Sequence, residues 1–169
     1  NLISRYKNKQ MALKIALNSA YGAIGNQYFR FYDIRIAEAV TYSGQLSIRW
    51  IEIALNKYLN ELLKTEDVDY ILASDTDSVY ITFESLVEKL QPKDPVKFLD
   101  TICKDTLEPF ISQKYQDLAD YTNAYEQKMV MSREVIADKG IWTAKKRYIL
   151  NVHNSEGVQY AEPKLKMMG

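Results

Sequence analysis

The sequence predicts an α+β fold in which helices pack on one face of an antiparallel sheet. Two observations indicate this class. The first third of the chain carries helix-forming residues with apolar side chains at helical spacing, and short β-branched and aromatic runs follow in pairs around turns. With 169 residues, of which 47% are apolar and 26% charged, the chain is long enough to bury a hydrophobic core.

Two long helices are expected at the start of the chain. Residues 1–21 are mostly helix formers, and we expect the helix to stop at Gly22 and Gly25. The aromatic run 28–32 is interpreted as a strand or an extended segment, and Asp33 is a suitable N-cap for a second helix that ends near residue 64. The second half of that helix carries an apolar stripe at helical spacing, which predicts a buried face. The stripe consists of Ile51, Leu55, Tyr58, Leu59 and Leu62.

Two short strands around a tight turn are expected next. Residues 70–73 and 78–83 are rich in β-branched and aromatic side chains, and the polar residues 74–77 separate them. This pattern is typical of a β-hairpin with an acidic tip.

Helical and strand-like stretches then alternate once more. Pro92 and Pro95 open a helical region of roughly residues 96–122. Between Met129 and Tyr160 β-branched and aromatic residues return, and Asp138-Lys139-Gly140 and Asn154-Ser155-Glu156-Gly157 are expected to be hairpin turns.

The charges are distributed unevenly, although Lys and Arg balance Asp and Glu over the whole chain. Residues 1–50 carry seven basic and two acidic side chains, residues 51–128 carry eight and sixteen, and residues 129–169 carry seven and four. Two basic ends around an acidic middle are able to form a positive surface beside an acidic pocket. Chance clustering of surface charges explains the same counts equally well.

The acidic tip is the first candidate site. Asp75 and Asp77, two residues apart around Thr76, are able to direct carboxylate oxygens at a divalent cation such as Mg²⁺, which prefers oxygen ligands. An ordinary acidic turn is the alternative, because Asp and Ser are common turn residues.

Three polar residues on the first helix form the second candidate site. Lys14, Asn18 and Tyr21 follow one another at steps of four and three residues, which places them on one helical face. A cation, an amide and a phenol suit the phosphates, polar edges and base of a nucleotide. The glycines after them allow a ligand or another backbone to approach closely. The alternative is a solvated helix face that ends at a glycine.

The third candidate site is the basic run Lys145-Lys146-Arg147-Tyr148. On a strand, Lys146 and Tyr148 share one face, and Lys145 and Arg147 share the other. Basic side chains beside an aromatic ring suit a nucleic-acid backbone. A surface cluster of charges without a ligand is the alternative.

Taken together, these motifs resemble those of family B DNA polymerases. LKIALNSAYGAIGN resembles the fingers motif of that family, which is Lys, three residues, then Asn-Ser-x-Tyr-Gly. SDTDS resembles its palm motif and KKRY its primer-binding motif, and the three occur in the family's order. The final YAEPKLKMMG is similar to the T-even phage branch. The resemblance extends over nearly the whole chain.

The resemblance implies that residues 1–26 are the end of the fingers helix and residues 27–169 most of an antiparallel palm domain. It implies template-directed DNA synthesis, in which a primer 3′-oxygen attacks the α-phosphorus of a dNTP with the help of two Mg²⁺ ions. The substrates would be primer-template DNA and dNTP. The site of action would be the cytoplasm of an infected bacterial host, with no part for a membrane.

The nucleotide and metal roles carry over position by position. The resemblance implies that Lys14 and Asn18 contact the incoming triphosphate and that Tyr21 lies beside the nascent base pair. It implies that Asp75 and Asp77 are the catalytic residues and metal ligands, with Asp77 as the principal ligand. Glu134 is a further candidate near the metals.

The DNA contacts carry over in the same way. The resemblance implies that Lys146 contacts the minor groove at the primer terminus, supported by Lys145, Arg147 and Tyr148, and that Thr76 is also part of the DNA-binding site. The chain departs from the family pattern at Ala73-Ser74, where Tyr-Gly is usual. This departure puts one expected contact with the primer end in doubt and leaves the aspartates unaffected.

The chain also lacks an initiator Met and is expected to be part of a longer protein that adds an upstream palm strand with another carboxylate, an exonuclease and a thumb. Without these parts we expect it to be catalytically inactive, with an open sheet edge that is able to self-associate. A non-catalytic nucleic-acid-binding module with a palm-like or RRM-like sheet is the main alternative. The sequence does not contain the twelve-residue loop of a Ca²⁺-binding domain, which argues against that alternative. A reverse transcriptase or RNA polymerase palm is a nearer alternative, but KIALNSAYG fits those families poorly.

Overall fold

The computed structural model describes residues 2–169, which contain five α-helices, a π-helical segment and five strands. In chain order these are α1 (Leu2–Ile24), α2 (Ile34–Leu63), β1 (Ile71–Asp75), β2 (Ser78–Ile81), α3 (Glu84–Leu90), α4 (Pro95–Ile102), the π-helical segment Cys103–Leu107, α5 (Glu108–Tyr121), β3 (Val135–Ala144), β4 (Arg147–Ser155) and β5 (Val158–Met168). The chain divides into two compact units, Asn1–Leu46 and Ser47–Gly169, called here the N-terminal and C-terminal units. Within residues 2–169, no helix has the length and apolar character needed to cross a membrane.

The predicted α+β class is confirmed, and every strand pairing is antiparallel. The strands form two sheets, one of β1 and β2 and one in the order β3-β4-β5. The expectation of one continuous sheet needs this correction. Each hairpin pairs its own backbone groups, and a pattern of apolar residues does not specify whether two hairpins also join edge to edge.

The N-terminal unit differs from the sequence prediction at two places. Helix α1 continues through Gly22 and ends just before Gly25. The aromatic run 28–32 is a series of turns and not a strand, because the side chain of Asn26 accepts a hydrogen bond from the backbone N–H of Tyr28 at 3.0 Å and starts a turn.

The predicted N-cap of α2 is confirmed. Asp33 Oδ1 accepts a hydrogen bond from the backbone N–H of Arg35 at 3.0 Å, which satisfies one of the free donors at the start of the helix. The guanidinium of Arg35 also pairs with Asp33, with Nη2 and Oδ2 2.7 Å apart. The hydrogen bond from the Arg35 side chain is the largest cause that lowers the pKa of Asp33.

The main core lies in the C-terminal unit and is built on the apolar stripe of α2. Ile51, Leu55 and Leu59 are almost completely buried, as predicted. Leu62 was expected to join them but is 50% exposed, and its neighbour Leu63 packs against the core instead, in the last turn of the helix. The remaining buried members of this core are Tyr70, Leu107, Ile111, Tyr115 and Leu118.

The predicted helical region after Pro95 consists of α4, the π-helical segment and α5, and it ends at Tyr121. Asp94 caps α4, since its side chain accepts a hydrogen bond from the backbone N–H of Lys97 at 3.0 Å. Helix α3, of seven residues, was not predicted because it is too short to show a clear helical period.

The first hairpin turn of the larger sheet was placed wrongly. Strand β3 runs through Asp138-Lys139-Gly140, and the turn lies at Lys145 and Lys146. Gly140 does not form a turn, and its lack of a side chain leaves room for neighbouring side chains. A Cβ atom at this position would lie 2.7 Å from the ring of Trp142 and 2.8 Å from the side chain of Leu150.

The second predicted turn of this sheet is confirmed. Glu156 and Gly157 connect β4 to β5, and both have positive φ, 50° and 86°, as a two-residue hairpin turn of type I′ requires. Alternate residues of β4 face a second, smaller core, which consists of Tyr148, Leu150 and Val152.

Candidate active site

The acidic turn lies at the tip of the β1–β2 hairpin. Asp75 ends β1 and pairs with Ser78 at the start of β2, so Thr76 and Asp77 form a two-residue turn. The backbone N–H of Asp77 donates to the carbonyl oxygen of Asp75 at 2.5 Å, and Thr76 has φ +48°. A β-branched residue in the left-handed region is strained, and such strain concentrates at functional sites.

Asp75 contacts Lys146 of the basic run 145–148, the third candidate site. The Thr76 hydroxyl donates to Asp75 Oδ1 at 2.9 Å, and Lys146 Nζ lies 3.3 Å from the same oxygen. The hydrogen bond from Thr76 is the largest influence on the pKa of Asp75 and lowers it. Desolvation opposes this effect, and the cations Lys146 and Lys145 lower the pKa further. The surroundings therefore keep Asp75 ionised.

Asp77 is exposed and lines a cleft of about 590 Å³. The other lining residues are Val130, Met131, Ser132, Arg133, Glu134, Glu156 and Gly157. The candidate Glu134 therefore borders the same cleft as Asp77, and its Oε1 accepts a hydrogen bond from Lys166 Nζ at 2.7 Å. The negative charge of Asp77 also acts on Tyr115, whose pKa is raised first by burial and then by this carboxylate.

The donor chemistry of the turn fits Mg²⁺. This ion takes one or two carboxylates in many protein sites and completes its octahedral shell with waters and substrate phosphates. Asp75 and Asp77 offer two carboxylates from a single turn. Nowhere in residues 2–169 do three His, Cys, Asp or Glu side chains come close enough together to hold an ion. The pair therefore fits part of a metal site, and Glu134 does not complete a three-residue set with it.

The basic motif occupies a turn and the start of a strand. Lys145 and Lys146 form the turn between β3 and β4, and Lys146 has φ +62°. The prediction that Lys146 and Tyr148 share one face of a strand is therefore wrong. Lys145, Lys146 and Arg147 are exposed, whereas Tyr148 is 8% exposed. The cations are accessible to a phosphate backbone, and the ring of Tyr148 acts through packing.

A cluster of three aromatic rings joins the two hairpins below their tips. The Tyr80 hydroxyl donates to the Tyr148 hydroxyl at 2.9 Å, and the centroids of these rings are 5.4 Å apart. Trp142 meets Tyr80 edge to face at 5.5 Å. Sequence reasoning missed Tyr80, because an aromatic residue in a strand is normally a core residue. Its position two residues after Ser78, on the same hairpin as the acidic turn, was the available signal.

Arg133 is a second residue that the sequence did not indicate. Its guanidinium, 13% exposed, bonds to the carboxylate of Asp100 on α4 and, at 3.0 Å, to Asn154 Oδ1 on β4. Its backbone N–H donates to Glu108 Oε1 on α5 at 2.9 Å. These bonds fix the segment that carries Glu134, and no local pattern in the sequence reveals such contacts between distant elements.

The predicted nucleotide-binding residues lie on α1 in the N-terminal unit. Lys14, Asn18 and Tyr21 share one helical face and are all exposed. Tyr21 Oη and Thr41 Oγ1 are 2.7 Å apart, and Thr41 uses its own proton in a bond to the carbonyl of Ala37 at 3.0 Å. Tyr21 must therefore donate the bond to Thr41, which fixes the phenol against α2. A Cβ atom at Gly22 would meet nothing within 4 Å, so the space beside the helix is open there.

Comparison with known proteins identifies the family. The sequence profile of DNA polymerase family B matches residues 2–168, a span that includes all candidate residues from Lys14 to Tyr148. The chain belongs to DNA polymerase family B. The predicted resemblance is thereby confirmed.

Phage members of family B are among its relatives. The chain is 44% identical to the DNA-directed DNA polymerase of Enterobacteria phage T4 and 42% identical to that of Escherichia phage RB69, each over 174 aligned residues. Both alignments cover 95% of this chain and 19% of the relative, so the chain spans about a fifth of these family B polymerases. DNA polymerase 037L of Invertebrate iridescent virus 6 is 35% identical over 53% of this chain and 6% of its own length.

Proposed function

We propose that this chain is part of the polymerase core of a DNA-directed DNA polymerase that replicates phage DNA. The reaction adds a deoxynucleotide to a primer 3′-hydroxyl and releases pyrophosphate. The observation that carries this proposal is the contact between Asp75 Oδ1 and Lys146 Nζ at 3.3 Å. It brings the acidic turn next to the basic hairpin, as a site for metal-dependent chemistry on a primer end requires.

Asp75 and Asp77 are proposed as the catalytic carboxylates that hold Mg²⁺, with two ions in the complete enzyme. When bound, Mg²⁺ activates the attacking primer oxygen and neutralises charge that develops on the leaving pyrophosphate. Thr76 supports this role, because the hydrogen bond from its hydroxyl lowers the pKa of Asp75 and so stabilises the carboxylate form. Glu134, which borders the same cleft as Asp77, is proposed as a third acidic group near the metals.

The incoming nucleotide is proposed to bind along α1. Lys14 and Asn18 are exposed at neighbouring turns of the helix and would contact the triphosphate. Tyr21 would lie beside the nascent base pair, with its hydroxyl anchored to Thr41. Because this anchor fixes the phenol against α2, the ring needs little reorganisation when the nucleotide binds.

The primer-template DNA is proposed to lie against the tips of the two hairpins. Lys146 would contact the minor groove at the primer terminus, and Lys145 and Arg147 would neutralise phosphates. Thr76, exposed at the neighbouring tip, would contact the same DNA. The buried Tyr148 would hold the basic turn in place.

The rest of the polymerase is proposed to provide what these residues lack. An upstream palm strand would supply a further carboxylate, and an exonuclease and a thumb would complete the enzyme. In this assignment residues 1–26 are fingers and residues 27–169 are palm, and synthesis takes place in the cytoplasm of an infected bacterial host. Alone, the chain is proposed to self-associate through open strand edges.

A non-catalytic nucleic-acid-binding module is a second candidate. The observation that favours it is the exposed basic turn of Lys145, Lys146 and Arg147, because such cations bind a phosphate backbone without a metal. A binding module would hold duplex DNA equally well with and without Mg²⁺, whereas a polymerase core should gain affinity when Mg²⁺ is added. Titration of a fluorescent primer-template duplex under both conditions separates the two.

The polymerase proposal is tested by Asp77→Asn in the complete polymerase that contains these residues. The substitution removes the charge and conserves the volume, so we expect primer extension in Mg²⁺ to be lost while the thermal unfolding curve is unchanged. Asp105→Asn is the matched control, since Asp105 is exposed in the π-helical segment, and it should retain full activity. Normal turnover by the Asp77→Asn enzyme would contradict the proposal.

A further inference from the structure

Tyr80 occupies a position between the two hairpins that the motifs do not explain. It lies in β2, the strand that leaves the acidic turn. Its hydroxyl donates to Tyr148, two residues after Lys146 in the basic hairpin. The two sheets share no strand pairing within residues 2–169, so side chains must set the relation between their tips.

The hydroxyl of Tyr80 adds a directed bond to this packing. A phenylalanine would fill nearly the same volume, and the part-buried hydroxyl is retained at lower cost because it is hydrogen-bonded. Burial is the largest cause that raises the pKa of Tyr80 to about 12, and the bond to Tyr148 acts in the same direction, whereas the Ser78 side chain and Lys166 oppose the shift.

The rings around the Tyr80–Tyr148 bond are closely packed. The ring of Trp142 packs over Gly140 so closely that no side chain fits there. That ring also meets Tyr80 and Tyr148, with centroids 5.5 and 6.2 Å away. A well-packed cluster transmits a small displacement of one ring to the turn above it.

We propose that Tyr80 is a positioning residue whose hydroxyl, through Tyr148, fixes the basic turn so that Lys146 remains beside Asp75. The inference rests on the proposed function, because it assigns Lys146 to the primer terminus. Tyr80 itself contacts neither substrate nor metal in this assignment. The Ser78 side chain also interacts with Tyr80, so the test must show that the effect of Tyr80 passes through Lys146.

The test compares Tyr80→Phe, Lys146→Ala and the double variant in the complete polymerase. Single-turnover incorporation is measured with DNA and nucleotide saturating, and primer-template affinity by fluorescence anisotropy. Loss of one hydrogen bond predicts that Tyr80→Phe slows incorporation about fivefold to tenfold. If Tyr80 acts through Lys146, the double variant should be no slower than Lys146→Ala alone.

Two further variants make the result specific. Tyr160→Phe removes a hydroxyl from a ring that packs against the same small core, and it should leave incorporation and affinity unchanged. Tyr148→Phe removes the acceptor of the Tyr80 bond and should slow incorporation as much as Tyr80→Phe does. A variant with both substitutions should be no slower than either one alone. If Tyr80→Phe does not fold, Tyr148→Phe decides the question by the same criteria.

The outcomes separate this inference from the proposed function. The positioning role is overturned if the rate losses of Tyr80→Phe and Lys146→Ala multiply in the double variant. It is also overturned if Tyr80→Phe incorporates nucleotide within twofold of the wild-type rate. The polymerase assignment stands in both cases. A complete wild-type polymerase that does not extend a primer overturns both. The inference is supported if Tyr80→Phe slows incorporation in the wild-type enzyme but has no further effect in the Lys146→Ala variant.

Discussion

Replacement of Lys14 by alanine tests the proposed nucleotide site most directly. Lys14 is exposed on α1 and forms no ion pair with any carboxylate among residues 2–169. Removal of its ammonium group therefore leaves no carboxylate without its ion pair, and the free energy of unfolding should not change measurably. Any loss of function would then reflect a lost contact with substrate.

The expected size of the effect follows from the chemistry of the contact. A hydrogen bond to a charged group is worth about 1.5–3 kcal/mol, which corresponds to roughly tenfold to hundredfold in kcat/KM for the nucleotide. Because the ammonium of Lys14 is exposed in the free protein, it loses hydration on binding, and the lower part of that range is expected. The affinity for primer-template DNA should change little.

Lys9→Ala is the matched control on the same helix. At 100° per residue, Lys9 projects about 140° away from Lys14 around α1, so this substitution removes the same charge from another face. Steady-state kinetics over a range of dNTP concentrations measure both variants. An unchanged kcat/KM for Lys14→Ala, or an equal loss for Lys9→Ala, would refute a specific phosphate contact.

Three further predictions concern stability, pH and the chain on its own. Leu55→Ala should lower the free energy of unfolding in urea by about 2–5 kcal/mol, while Leu62→Ala on the exposed side should cost less than about 1 kcal/mol, and equal costs would contradict the described core. The pKa of Asp33 is lowered in the folded state, so its contribution to stability is present above the unfolded pKa of about 3.9 and is lost as the pH falls through the folded value. Arg35→Gln should raise that pKa in an NMR titration and weaken the acid dependence of stability, and an unmoved pKa would refute the assigned cause. The 169-residue chain alone should give no primer extension, and Mg²⁺-dependent incorporation would show that it holds a complete site.

The parts of the fold that depend on local chemistry were predictable from the sequence. Asp33 caps α2 because a carboxylate before a helix finds a free backbone N–H within two residues. Ile51 and Leu55 are buried because their spacing places them on one face of the helix. The acidic turn was also predictable from local sequence, because Asp75 and Asp77 stand between two clear strand patterns.

The parts that depend on contacts between distant residues were not predictable. Gly140 suggested a turn, but it lies within β3 because the ring of Trp142 needs the space. Because the turn was misplaced, Lys146 was predicted on a strand, whereas it lies in the turn between β3 and β4. The division of the strands into two sheets, and the anchoring of Arg133 by residues of α4 and β4, depend on packing that no short segment encodes.

The departure at Ala73-Ser74 acquires a structural meaning from the pairing of the first hairpin. Ala73 lies directly opposite Tyr80 in the β1–β2 ladder, and opposite residues project on the same face of a sheet. The family usually has a tyrosine at the position of Ala73. In this chain the side chain there is a methyl group, so Tyr80 is the one aromatic residue of the Ala73–Tyr80 pair. A small neighbour leaves the Tyr80 ring free to pack against the basic hairpin and to reach Tyr148. The short motifs thus place charge at the two tips, and the relation between the tips depends on residues beneath them, which become recognisable only once the strands are paired.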